Sequence, residues 1–426
     1  VTEPPAAAEP VVVEPPPPAA GHHGSFPGWR VVAASFATLC ITSGLGFYGL
    51  AVYLNSFANE RGWEVSSISR ATTLFFVVAG FTGLLAARLM ATRDVRAVVV
   101  AGAVLGAIAL ALLGRVEQRW QLYAVYSLFA VGFALAGLVP ATTVVTRWFH
   151  VKRSTALSIA STGLSVGGVL VTPLAKYLLD THGLRTITPV LAVVWLVGIV
   201  PMTVLFLLPD PARAGWMPDG ERIDVTAAAP VPGGMPWAQA RRHRFFLATM
   251  AGYVLLLGSQ VGGIQQLVKL VEERTDRGAA TFATAVLAVM SVIGRLVGGQ
   301  VVRRVSMTAV LLVLAAGQAV TLALLAVLHD RVALFVTIGV LGITVGNILM
   351  LQPLLLAERF GVRDYPRIYS RSSFVTMFGT AAGPLLLGEL HDGAGGYRTS
   401  YLAAAGCALV GALVLSTAGS AEYSET

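Results

Sequence analysis

The sequence predicts an all-α membrane protein of twelve transmembrane helices in two pseudo-symmetric six-helix halves. Three observations carry that prediction. Hydrophobic residues fill 55% of the 426 positions and charged residues 12%, against about 25% charged in soluble domains; mean hydropathy is +0.73. Apolar stretches of roughly 20 residues, long enough to cross a bilayer with their backbone polar groups paired internally, recur along the chain. Matching residues also recur at a spacing of half its length.

Residues 1–28 open the chain as a different material, with prolines at 4–5 and 15–18 among Ala, Val and three Glu. They bury too little apolar surface to fold and lack the basic start and apolar core of a secretory signal, so a disordered cytoplasmic tail is expected. Opening on Val1 points to a non-standard start codon or a trimmed product.

The N-terminal half is expected over 29–208. Its first span, 30–53, contains Cys40 and Tyr48 and ends near Asn55; the second, 66–89, has Arg70 one turn in; the third is 97–115. The fourth, 120–146, carries Tyr126 and Pro140, and the fifth, 154–179, carries Gly163, Gly167 and Pro173. The sixth, 187–208, leads into a cytoplasmic linker, 209–244. The C-terminal half, 245–418, repeats the pattern: 245–268 with Gln260 and Gln265, 279–302 with Arg295, 307–328, 332–357 with Asn347 and Pro353, 370–390 with Gly379, Gly383 and Pro384, and 398–418 with Cys407. Residues 419–426 form a second tail. The two cysteines lie in apolar spans with no metal-type spacing, so they are read as packing residues, with no disulfide, metal or cofactor implied.

Charge sets the orientation. Of the 30 Lys and Arg, 18 fall on the side of the termini, 10 on the other, and Arg70 and Arg295 inside spans. Positive residues favour the cytoplasmic side, so both termini and the 209–244 linker are expected there, in a multi-pass protein of the cell inner membrane. The net charge of +8 is dispersed over short loops and therefore belongs to topology, which argues against a nucleic-acid partner.

The repeat is specific. Pro140 and Pro353 are 213 apart, Glu60-Arg61 recurs 213 later as Glu273-Arg274, and Gly163 and Gly167 recur 216 later as Gly379 and Gly383. Two halves in one orientation place a binding site at the midplane between them, and rocking one half against the other exposes it to each side in turn. Gly163, Gly167, Gly379 and Gly383 put small residues on one helix face, either to let helices slide or simply to pack them tightly. Pro173 and Pro384 remove helix hydrogen bonds and can kink their spans.

The stretch from Arg147-Trp148-Phe149 through Lys152-Arg153-Ser154, then Gly163, Gly167-Gly168, Pro173 and Gly183-Leu184-Arg185, resembles the fourth-to-sixth-span signature of the monocarboxylate transporter and oxalate:formate antiporter branch of the major facilitator superfamily. Gly28-Trp29, Gly62-Trp63, Gly294-Arg295, Gly383-Pro384 and Gly396-Tyr397-Arg398 also match. The resemblance covers about 27–418. It implies a central cavity lined by the first, fourth, seventh and tenth helices, and small organic anions, usually monocarboxylates or oxalate, as substrates. The chain departs from that branch at Ala91 and Arg303, where the superfamily carries an Asp, and at Ser291, where monocarboxylate transporters carry one; the 34–54 interior has no Lys.

An ionisable group inside a membrane is costly and so a functional candidate. Arg295 can grip a carboxylate through two parallel hydrogen bonds, or else snorkel or pair within the protein. Arg70 either snorkels or guides anions. Tyr48, Asn55, Tyr126, Gln260, Gln265 and Asn347 are either ligand contacts or helix-to-helix hydrogen bonds, Asn347 being deepest in an apolar span. No Asp or Glu lies centrally in a span, which favours anion exchange, facilitated movement, or coupling through the substrate's own proton.

The reading is a monomeric transporter of a small organic anion, a carboxylate, working by alternating access in the lipid bilayer. The alternatives are an exporter of a hydrophobic drug or secondary metabolite and a sensor that kept the transporter fold. An enzyme is excluded by the lack of a phosphate loop, a metal-ligand cluster or a nucleophile elbow.

Overall fold

The structure is a computed structural model that describes residues 26–149, 152–208, 211, 216–220, 234–302, 304–361 and 364–419. The tail at 1–25, most of the linker and residues 420–426 lie outside the described residues. Among the described residues, twelve helices are long and apolar enough to cross a membrane: α1 Gly28–Arg61, α2 Val65–Met90, α3 Val95–Leu113, α4 Arg119–Trp148, α5 Thr155–His182, α6 Leu184–Phe206, α7 Arg244–Arg274, α8 Arg277–Arg295, α9 Met307–Val327, α10 Arg331–Phe360, α11 Arg367–Gly393 and α12 Tyr397–Ser416.

Local chemistry fixes several ends. Asp94 accepts from the Arg96 amide at the start of α3, at 2.8 Å. Asp330 does the same for Ala333 in α10, at 2.8 Å, and Ser306 for Ala309 in α9, at 3.3 Å. Each satisfies an N–H that the first helical turn leaves without a partner. Gly62, at φ 64°, closes α1 in the left-handed region that suits glycine.

The packing repeats with a shift of six helices. In the first half α1 packs on α5, α2 on α4, and α3 on both α4 and α6; in the second, α7 packs on α11, α8 on α10, and α9 on both α10 and α12. The halves meet where α1 touches α7, α2 touches α11, and α5 touches α8. Both ends of the described chain lie on one face, called here the terminal side; α1 and α7 run from it to the far side.

The glycine pairs work inside each half. A Cβ on Gly163 would lie 2.3 Å from the Phe36 carbonyl oxygen, and one on Gly167 2.2 Å from that of Cys40, both in α1. Their counterparts Gly379 and Gly383 press on the Val254 and Gly258 carbonyls of α7, at 2.0 Å for each. These positions join α1 to α5 and α7 to α11 and do not form the contact between halves.

The repeat breaks down in helix regularity. α1 contains a π-helical turn over Thr42–Phe47, and α5 one over Gly167–Val171 that ends just before Pro173. The two turns touch, and the Thr172 hydroxyl donates to the Gly44 carbonyl at 2.9 Å. α4 is interrupted at Gly137, three residues before Pro140. The equivalents α7, α10 and α11 are continuous, α10 and α11 running through Pro353 and Pro384.

Two boundaries differ from the hydropathy reading. α1 runs on to Arg61 and α7 to Arg274, two turns or so past the expected ends at 53 and 268; the added turns meet through Asn55, Asn59 and Glu272, while the last residues of α1 are exposed.

Candidate functional site

Arg295 sits late in α8, on the terminal-side part of the helix. Its Nε–H donates to the Gly346 carbonyl of α10 at 3.1 Å. The guanidinium carries four further N–H donors, and among the described residues no carboxylate lies within ion-pair distance of it. The backbone contact anchors one edge of the group and leaves its terminal fork to meet something else.

Tyr48 approaches from the other half. It leaves the π-helical turn of α1 close enough to Arg295 for the two to interact electrostatically. Its ring is buried and crosses Phe47 edge to face at 5.1 Å. Gly168 makes room for it: a Cβ there would lie 2.8 Å from the Tyr48 ring and 2.9 Å from the Ala288 methyl of α8. The hydroxyl donates no hydrogen bond to a described residue.

Asn347 follows Gly346 in sequence and lies against α8. It donates to the Ile343 carbonyl at 2.9 Å, and its amide fills the space left by Gly294 and Gly298, where added Cβ atoms would meet it at 3.1 and 1.9 Å. Asn347 therefore packs on the glycine face of α8 beside Arg295. Gln265 bridges the halves, its Nε2 donating to the Phe47 carbonyl at 3.0 Å, while its buried Oε1 has no partner.

Four further candidates have their contacts away from Arg295. Gln260 donates to Gln318 of α9 at 2.9 Å, and Gln318 in turn donates to the Leu256 carbonyl and Ser259; it is a helix-to-helix amide within the second half. Tyr126 is fully buried beside Phe75 at 6.3 Å, its hydroxyl unpartnered, so it belongs to an aromatic layer. Asn55 is turned to the far side, donating to Glu272 at 2.5 Å. Arg70 forms a two-pronged ion pair with Glu389 of α11. Among the described residues, no group of three or more His, Cys, Asp or Glu is placed to hold a metal, and Cys40 and Cys407 are free.

The sequence reading missed the polar joint between the halves. Between described residues, every hydrogen bond and ion pair joining them lies in the far-side half of the spans. Asp392 accepts from the Ser66 amide at 2.6 Å, Gln266 donates to Ser69 at 2.9 Å, and Glu272 receives Asn55 and Asn59. The far side is closed. The one signal in the sequence was Lys176 four residues before Asp180, a charged pair at the far-side end of the fifth span.

The comparisons with known proteins agree with this architecture. The Major Facilitator Superfamily profile matches residues 34–351. Monocarboxylate transporter 13 of Rattus norvegicus is 25% identical over 403 residues, covering 92% of this chain and 88% of the relative. The MFS transporter asaE of Aspergillus flavus is 24% identical, covering 91% and 85%. In fold, the chain is similar to a bacterial homolog of the human lysosomal transporter Spinster, solved in an inward-facing and unoccupied conformation, with a TM-score of 0.69 at 15% identity over 95% of this chain and 100% of that one. The nucleoside transporter NupG gives 0.66 at 16% identity over 92% and 99%. With twelve membrane-spanning helices in this arrangement and a profile match over most of its length, the chain belongs to the major facilitator superfamily of multi-pass membrane transporters.

Proposed function

We propose that the chain carries a small organic anion, of the monocarboxylate class, by alternating access, with residues 29–208 and 245–418 as the two rocking bodies and the 209–244 linker and both termini on the cytoplasmic side. The observation that carries the reading is the Arg295 guanidinium, anchored through Nε to Gly346 and without a counter-ion among the described residues. A charge held inside a membrane protein without a partner is costly to the fold, and a carboxylate removes that cost by supplying both charge and two acceptors in the plane of the fork. Tyr48, reaching Arg295 from the other half, adds a hydroxyl that donates to the same anion. Several of the similar proteins are named monocarboxylate transporters, which supports the same class.

The test is binding by wild type, Arg295→Lys and Arg295→Ala, read as carboxylate-induced thermal stabilisation of the purified, monodisperse protein. An ammonium keeps the charge and loses the fork, so the lysine variant should bind more weakly and the alanine variant not measurably. Loss of one partner of a buried charge pair is worth about 2–5 kcal/mol, roughly 30-fold or more in affinity. Undiminished stabilisation of the alanine variant would overturn the anion site and favour export of a hydrophobic solute.

A further inference from the structure

A second group of buried charge lies at the far side, away from Arg295. Glu272, near the end of α7, accepts from Asn55 Nδ2 at 2.5 Å through one carboxylate oxygen and from Asn59 Nδ2 at 2.6 Å through the other, both from α1. Lys176 of α5 lies 3.6 Å from the same carboxylate, with the lysine side chain 1% exposed and the glutamate 11%. Three of these partners belong to the opposite half from Glu272.

Each charged member also has a partner in its own half. Lys176 donates to Asp180, four residues on, at 2.5 Å. Arg277, at the start of α8, lies 3.3 Å from Glu272. At the rim, Lys269 donates to Asn59 at 2.8 Å and has Glu273 of its own helix at 3.8 Å. Removing one partner of a buried ion pair leaves an uncompensated charge and is strongly destabilising. A cluster made solely of cross-half pairs would strand charges whenever the halves part; here every ion that loses a cross-half partner keeps another.

We infer that the Lys176–Glu272 cluster is the latch that holds the far side shut in the transport cycle, and that it opens by partner exchange, Lys176 retaining Asp180 and Glu272 retaining Arg277. The Arg70–Glu389 pair spans the same closure, but its side chains are 53% and 43% exposed, and exposed pairs contribute little. The latch is the buried cluster. This inference rests on alternating access and is independent of the solute's identity.

Pulsed dipolar distances between spin labels test it, on the full chain in lipid nanodiscs without solute, with Cys40→Ser and Cys407→Ser as background. Labels at Glu117→Cys and His329→Cys report the far side, and labels at Arg93→Cys and Arg304→Cys the terminal side. Glu272→Gln should raise the far-side-open fraction about tenfold, with the terminal-side distance shortening in step. Asn59→Ala, at the exposed rim, should shift the same way by less and serves if Glu272→Gln fails to fold. Arg70→Gln should leave the distribution close to wild type. Far-side distances unchanged in folded Asn59→Ala and Glu272→Gln, or opened equally by Arg70→Gln, would overturn the latch. If neither label pair shows a second distance in any variant, alternating access itself fails, and the latch with it.

Discussion

At the scale of single residues, the Arg295 site is assembled from side chains whose roles can be separated by substitution. Tyr48 both wedges its ring against Gly168 and brings a hydroxyl toward Arg295. Tyr48→Phe keeps the wedge and removes the donor, so thermal stability should hold while carboxylate affinity falls roughly 10-fold, the worth of a hydrogen bond to a charged group. A titration of the two proteins with the same carboxylate checks this; equal affinities would remove Tyr48 from the site. Arg295 and Asn347 stand out in the sequence because a charge and an amide are rare in apolar spans. The partners of Asn55, Gln260 and Arg70 were not legible, since each is supplied by a residue 58 or more positions away in the chain.

At the scale of helices, the close contacts of α5 on α1 and of α11 on α7 predict where a single methyl is felt. Gly383→Ala places a carbon 2.0 Å from the Gly258 carbonyl oxygen, so the helices must separate, at a cost of about 1–3 kcal/mol. Gly406→Ala in α12 meets nothing within 4 Å and should be neutral or slightly stabilising. Thermal unfolding in detergent should rank them that way; a Gly383→Ala protein as stable as Gly406→Ala would contradict the packing. The start of α7 adds a pH dependence. His243 Nδ1 accepts from the Phe245 amide at 3.1 Å, and burial, then Arg359 beside it, hold the imidazole below its ordinary value. A depressed imidazole contributes stability that is full above the unfolded value of about 6.5 and is lost as pH falls through the folded one. The melting temperature should drop on acidification, and by less in His243→Asn, which can cap without titrating; identical pH profiles would remove His243 from the account. The spans themselves were legible as apolar runs, whereas the break at Gly137 was not, since the equivalent Pro353 leaves α10 continuous. The π-helical turns were not, because they depend on α1 and α5 touching.

At the scale of the whole molecule, hydropathy and the repeat showed twelve helices in two halves, whereas the closed far side arises only when two halves distant in sequence come together. The orientation remains a matter of charge: with 18 Lys and Arg on the terminal side and 10 opposite, a reporter fused after residue 225 should read cytoplasmic and one after Asp276 non-cytoplasmic. The reverse readings would invert the topology. The central claim is that the two halves together move a carboxylate past Arg295, and counterflow tests it most directly. Proteoliposomes loaded with an unlabelled short monocarboxylate should accumulate the labelled compound from outside, with other small carboxylates competing and the isosteric amide, which lacks the charge, failing to compete. Equal competition by the amide, or no accumulation from a protein shown to be folded and inserted, would contradict it.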